Sequence, residues 1–129
     1  MKQITIRLKR GQDLKEGIVA IVKENNVKAG VIVSAVGCID KATLRIADGK
    51  TVKTWDKKFE IVSITGTVSV NGCHIHVSLS DTDGMVVGGH LKEGCIINTT
   101  AEIVILNFED TEYLRPPDAT TGYDELEVN

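Results

Sequence analysis

Alternating segments separated by tight-turn dipeptides constrain this chain most. From Phe59 to Val70 polar and apolar residues take turns, Asn71-Gly72 comes next, and Cys73 to Ser80 alternates again. Period two marks a half-buried strand, and Asn-Gly supplies the positive φ angles of a two-residue hairpin turn. The spacing predicts an antiparallel hairpin with Gly66 as a bulge in its first strand. A second turn at Asp81 to Gly84 returns the chain through Met85 to Leu91.

The flanking segments carry related patterns. Ile4, Ile6 and Leu8 alternate with Thr5 and Arg7, so Gln3 to Leu8 reads as a strand. Asp13 stands at a helix N-cap position with Glu16 three residues on, and Leu14, Ile18, Ile21 and Val22 recur at helical spacing as far as Asn25. Gly30 to Val36 is a nearly continuous apolar run, as in a strand buried on both faces, which Gly37 ends or bends. Thr43 to Ala47 alternates before the turn Asp48-Gly49, Lys50 to Lys58 is a connection or weak strand, and Thr100 to Asn107 is a last long strand. Pro116-Pro117 breaks any regular element after Arg115 and leaves a short acidic tail. The expectation is one α+β domain, residues 1–129, on a mainly antiparallel sheet of about seven strands with one or two packed helices.

Composition narrows the class of protein. The chain has 129 residues and 42% hydrophobic content, enough for one core, and Val, Ile, Leu and Ala carry it because aromatics are 4%. No stretch approaches the roughly 20 apolar residues of a membrane helix, and the N-terminus has no signal-like pattern. Cys38, Cys73 and Cys95 are an odd number in a chain that can build its own core, which argues against a disulfide framework and for a soluble protein of the reducing cytoplasm. A net charge of −3 gives no overall positive field for a phosphate backbone, so direct DNA binding by this chain is disfavoured. Lys9, Arg10 and Lys15 read as solvated ends of a strand and a helix.

The chemistry is concentrated in the three histidines. Strict alternation puts His74, His76, Ser78 and Ser80 on one face and Cys73, Ile75, Val77 and Leu79 on the other, which must be the core. Residues two apart on a strand are roughly 7 Å apart at Cα, so both imidazoles can reach one ion at about 2 Å from nitrogen. The turn at Asp83-Gly84 brings Gly88-Gly89-His90 back alongside, making His90 a candidate third ligand. Three neutral imidazoles with an open position suit zinc, with iron, nickel or copper as further occupants. The plainer alternative is two histidines on a solvated strand face and a third in a turn, with no shared role.

Neighbouring residues are weighed against the same site. Cys73 points to the core by alternation, and Cys95, although it could fold back as a ligand, has the apolar neighbours of a buried thiol. Asp81-Thr82-Asp83-Gly84 lacks the alternating acids and closing glutamate of a calcium loop, so it is a hairpin turn. Glu60 and Glu102 lie within strands, where a charge ordinarily faces solvent. If either faced the histidines it could act as a proton carrier, orient an imidazole or add a ligand.

The chain resembles the domain shared by plants and prokaryotes that occurs in plant AT-hook nuclear proteins. The likeness rests on Leu44-Arg45, Phe59-Glu60-Ile61 with Gly66, His74-Ile75-His76-Val77-Ser78-Leu79 with Asp81 and Gly84, Val87-Gly88-Gly89-His90, and Thr121-Gly122-Tyr123-Asp124-Glu125-Leu126. The resemblance implies an antiparallel α/β fold, a homotrimer, a metal site at His74, His76 and His90, and an interface role for Phe59, Glu60 and Ile61. The chain has no Arg-Gly-Arg-Pro element of an AT-hook, so the DNA-binding property does not follow from the likeness. Plant members largely lack these histidines, so a shared fold does not carry the site.

These readings leave two function classes. One is a metal-centred homotrimer binding a small anionic or carbonyl-bearing ligand, with Arg45 meeting the anion; any reaction would use Lewis-acid chemistry with Glu60 or Glu102 as proton carrier. The other is a non-catalytic trimeric interaction module, associated with DNA-binding proteins.

Overall fold

The computed structural model describes residues 1–129. Strand β1 (Lys2–Lys9) leads to helix α1 (Leu14–Glu24) and then to the long strand β2 (Gly30–Arg45). Strands β3 (Val52–Trp55), β4 (Phe59–Ser69), β5 (Gly72–Asp81), β6 (Val86–Leu91) and β7 (Ile96–Asn107) complete one antiparallel seven-stranded sheet. The α+β expectation holds, as does the helix, and β4 and β5 form the expected hairpin; its turn is Val70-Asn71 and not Asn71-Gly72, because Ser69 pairs with Gly72 and Asn71 does not adopt a positive φ.

The helix forms where its capping signal stands. Asp13 accepts a hydrogen bond from the Glu16 amide at 3.0 Å and, through its other oxygen, from the Gly94 amide at 2.6 Å. One carboxylate thus satisfies an orphan helix donor and ties the helix start to the loop before β7. Leu14, Ile18 and Val22 form the buried stripe, each completing a core with Ile39, Leu44, Leu79 and Ile103. Burial of each such side chain contributes about 1.5–3 kcal/mol.

Strand β2 organises the sheet. Its first half lies between β7 and β4, and its last residues pair with β3 and β6. Because β4 pairs with β5 and β5 with β6, the pairing of β6 back onto β2 closes a four-stranded ring. Register shifts at Ile32/Ser34, Gly37/Cys38 and Ile39/Lys41 bend β2 enough to serve both ends, since each bulge increases local twist.

The structure corrects three expectations. The segments Gly30 to Val36 and Thr43 to Ala47 are parts of one strand, which bends at Gly37 without ending. The polar residues Asp40 and Lys41 interrupt the apolar pattern while the backbone stays extended. The bulge in β4 lies at Val62, between the pairs Ile61–Leu79 and Ser63–Ser78, and not at Gly66. Gly66 serves close approach, because a Cβ there would sit 2.7 Å from the His74 carbonyl oxygen. The last strand begins at Ile96, ahead of the expected Thr100. Its Asn98–Ala101 stretch bulges, with Thr99 at φ 70°, so the polar run hides a strand. The Lys50 to Lys58 segment contains the short strand β3, and the tail forms two small ribbons, β8 (Tyr113–Leu114) with β11 (Glu127–Val128) and β9 (Pro117–Asp118) with β10 (Tyr123–Asp124).

The β7 bulge presses the Thr100 carbonyl oxygen onto Gly37, where a Cβ would collide with it and lie 2.7 Å from the Ala101 Cα. Gly37→Ala is expected to destabilise the fold by about 1–3 kcal/mol through forced backbone displacement. Chemical denaturation reads this as a lower midpoint with an unchanged slope; an unchanged midpoint would show that the bulge yields freely.

Candidate functional site

The three histidines converge because strand register places them side by side. His74 and His76 project from the outer face of β5, and His76 is the direct cross-strand partner of His90 on β6. His90 in turn pairs with Arg45 at the end of β2, so the ring closure sets the third histidine as much as the hairpin does. Gly88 and Gly89 permit this. A Cβ on Gly88 would lie 2.8 Å from the Val77 carbonyl oxygen, and one on Gly89 would lie 2.6 Å from that of Arg45.

The side chains form a tight cluster. Potential ligand atoms of His74, His76 and His90 all lie within 4.8 Å of one another, and the Nε2 atoms of His74 and His76 are 3.1 Å apart. Ring centroids are separated by 4.9 to 5.6 Å at inclined angles. Zinc–nitrogen bonds of about 2.0–2.1 Å fit such separations with small side-chain movement. Burial with no hydrogen-bond partner leaves His90 Nδ1 an orphan donor or acceptor, a cost of about 1–3 kcal/mol that an additional ligand or ion would offset.

Surrounding groups favour the neutral imidazole at His74 and His90. Desolvation, followed by the Arg45 guanidinium and the other two histidines, pushes His90 down to about 4. His74 is also lowered, first by desolvation and then by His76 and Arg115, with Glu125 opposing. Neutral imidazole is the metal-binding form.

The histidines open into a hollow of about 510 Å³ that residues of the C-terminal ribbon also line. Arg45, Arg115, Tyr123, Asp124 and Glu125 line it together with the three histidines. The Arg45 guanidinium carbon lies 5.8 Å from the Tyr123 ring centroid, and Arg115 donates to Thr67 Oγ1 at 2.8 Å. Glu60 and Glu102 fall outside this lining. Glu60 borders a separate hollow with Cys38, Phe59 and Ser80, while Glu102 is exposed between Arg7 and Val36. Arg45 lines the histidine hollow.

Phe59 and Ile61 are 3% and 5% exposed and belong to the chain's own core, so only Glu60 of that trio offers a side chain outward. Cys95 is buried and exchanges hydrogen bonds with Thr43, and burial raises its thiol to about 11. Cys73 packs half-buried against the core, its thiol directed at the Ser69 carbonyl oxygen. Periodicity does not reveal Arg115, Tyr123, Asp124 or Glu125. For the last three the only sequence signal is the tail motif from Thr121 to Leu126 that supports the family resemblance, and Arg115 has none.

Residues 1–109 match the model of the Plants and Prokaryotes Conserved (PCC) domain. The chain belongs to this family. A hypothetical protein from Salmonella enterica is 33% identical with a TM-score of 0.95, covering 99% of this chain and 93% of that one. A protein of Archaeoglobus fulgidus described as metal-containing is 30% identical with a TM-score of 0.83, over 98% of this chain and 94% of that one. The bifunctional protein GlmU of a Synechococcus strain is 38% identical over 99% of this chain, which spans only 20% of that relative. The PCC fold is thus found both as a whole chain and as one part of a larger protein.

In metal-free protein the unfolded chain takes up a proton on His90 near pH 6.5, whereas the folded chain does so only near 4. Stability is therefore expected to fall as pH drops from 6.5 to 4, because the unfolded state binds more protons in that window. His90→Asn should flatten this part of the profile. Thermal melts across the window check it, and parallel profiles for both proteins would count against the burial argument.

Proposed function

We propose that this PCC-domain protein is a metal-centred homotrimer in which His74, His76 and His90 hold a divalent ion, zinc by the character of the donors, for binding a small oxygen-donor ligand. The observation that carries this reading is the convergence of three imidazoles within 4.8 Å at the mouth of a hollow. All three ligands are nitrogen, which also suits iron, nickel or copper. The Archaeoglobus relative's description as metal-containing supports the reading.

The ion would supply Lewis acidity at its open position. Arg45 would meet an anionic ligand, and Glu125, not Glu60 or Glu102, stands where a carboxylate can exchange protons with a molecule in the hollow. Elemental analysis of protein purified without a nickel column tests the centre. Stoichiometric metal is expected in the parent chain, falling to background in His74→Ala and His90→Ala; equal, substoichiometric metal in all three would overturn it.

Assembly is supported by an apolar outer face. Val33, Val36 and Val62 are 53%, 55% and 53% exposed, and the pairing of Gly37 with Ile61 sets Val36 opposite Val62 across β2 and β4. Large apolar side chains exposed on a sheet face suit an association surface. Val36→Asp is expected to convert a trimeric mass to a monomeric one in light scattering, and a trimer that survives it places the interface elsewhere.

The second reading, a non-catalytic trimeric interaction module, is favoured by the GlmU relative, where the similar region is a fifth of a longer protein. It predicts that partner binding survives His90→Ala, whereas the metal reading predicts that ligand binding does not.

A further inference from the structure

The two arginines in the histidine hollow have no protein anion to satisfy them. The ion pairs of the molecule join the N-terminal amine to Glu109, Lys15 to Glu93 and Lys57 to Asp81, and neither Arg45 nor Arg115 takes part. Arg45 Nε is buried and has no hydrogen-bond partner. Arg115 spends one donor on the Thr67 hydroxyl and otherwise faces the hollow. A guanidinium held this way keeps a fork of donors that matches a planar carboxylate.

Both guanidinium groups are tied to the histidine centre by strand register. Arg45 is the cross-strand partner of His90, and Thr67, which holds Arg115, is the cross-strand partner of His74. The Tyr123 ring braces Arg45 from the ribbon side. A carboxylate gripped here would sit beside the ion, so the atom reaching the ion is an oxygen on the neighbouring carbon. Asp124 and Glu125 line the same hollow and disfavour a second anionic group on the ligand.

We propose that Arg45 and Arg115 form a carboxylate clamp beside the three-histidine centre, and that the ligand is a small monocarboxylate with an adjacent hydroxyl or carbonyl oxygen, a 2-hydroxy or 2-oxo acid. This rests on the metal-centred reading. Arg115 thereby gains a binding role, and the C-terminal ribbon becomes a wall of the ligand site.

The test is calorimetric titration of zinc-loaded full-length protein with lactate, acetate and inorganic phosphate, after zinc content has been measured. Lactate is expected to bind at least about tenfold more tightly than acetate or phosphate, a difference of about 1.4 kcal/mol. Arg45→Gln and Arg115→Gln should each retain zinc and an unchanged circular dichroism spectrum while losing at least about tenfold in lactate affinity. Equal binding of lactate and acetate, tighter binding of phosphate, or undiminished lactate affinity in both variants would overturn the clamp while leaving the metal reading intact. Parent protein that takes up none of zinc, iron, nickel or copper overturns the metal reading, and the chelating part of this proposal with it.

Discussion

Closure of the sheet through β2 is the constraint on which the other features depend. One strand must pair with β7 and β4 near its start and with β3 and β6 near its end, and a regular strand of that length would not reach both sets of partners. The bulges along β2, with Gly37 under the Thr100 carbonyl oxygen, provide the bend. That bend produces a core wrapped on itself, the helix laid against it, and β6 held between β5 and β2. His90 is placed by this closure, and so is its neighbour Arg45.

The site is built on rigid strands and finished by a less regular segment. His74 and His76 owe their direction to alternation, because Ile75, Val77 and Leu79 are committed to the core on the other face. The electrostatic state of His74 and His90 has a tertiary origin: desolvation in the hollow and the arginines favour neutral imidazole. The ribbon after Arg115 then supplies an aromatic ring and two carboxylates over the same opening. Two cationic and two anionic side chains thus share one hollow with a centre of three nitrogen donors.

Much of this is legible in the residues, and the losses have identifiable causes. Period two locates β1, β4 and β5, the Asp13 cap locates the helix, and Asn71-Gly72 locates the hairpin that carries two of the three histidines. Alternation also assigns Cys73 to the core side. It fails where strands depart from regular pairing: β2 reads as two strands because its middle is polar, β7 reads as starting late because Asn98 to Thr100 lack apolar character, and Gly66 reads as the bulge that Val62 makes. Glu60 and Glu102 are reasonable acid candidates by position in strands, but they lie over other parts of the sheet. Only folding brings the acids of the tail, far downstream of His74 in the chain, to the hollow.

By itself the sequence determined which side chains share a face, because alternation and turn chemistry act over a few residues and need no distant partner. It thereby selected His74 and His76 and made His90 a candidate. Tertiary structure decided what no local pattern encodes: which strands close the ring, how β6 is clamped between two neighbours, and which end of the chain folds over the histidines. Those outcomes depend on contacts between residues far apart in sequence, where backbone carbonyls approach glycines too closely for any side chain to intervene. The physical reason is that periodicity specifies orientation, while proximity comes from the packing of the whole sheet.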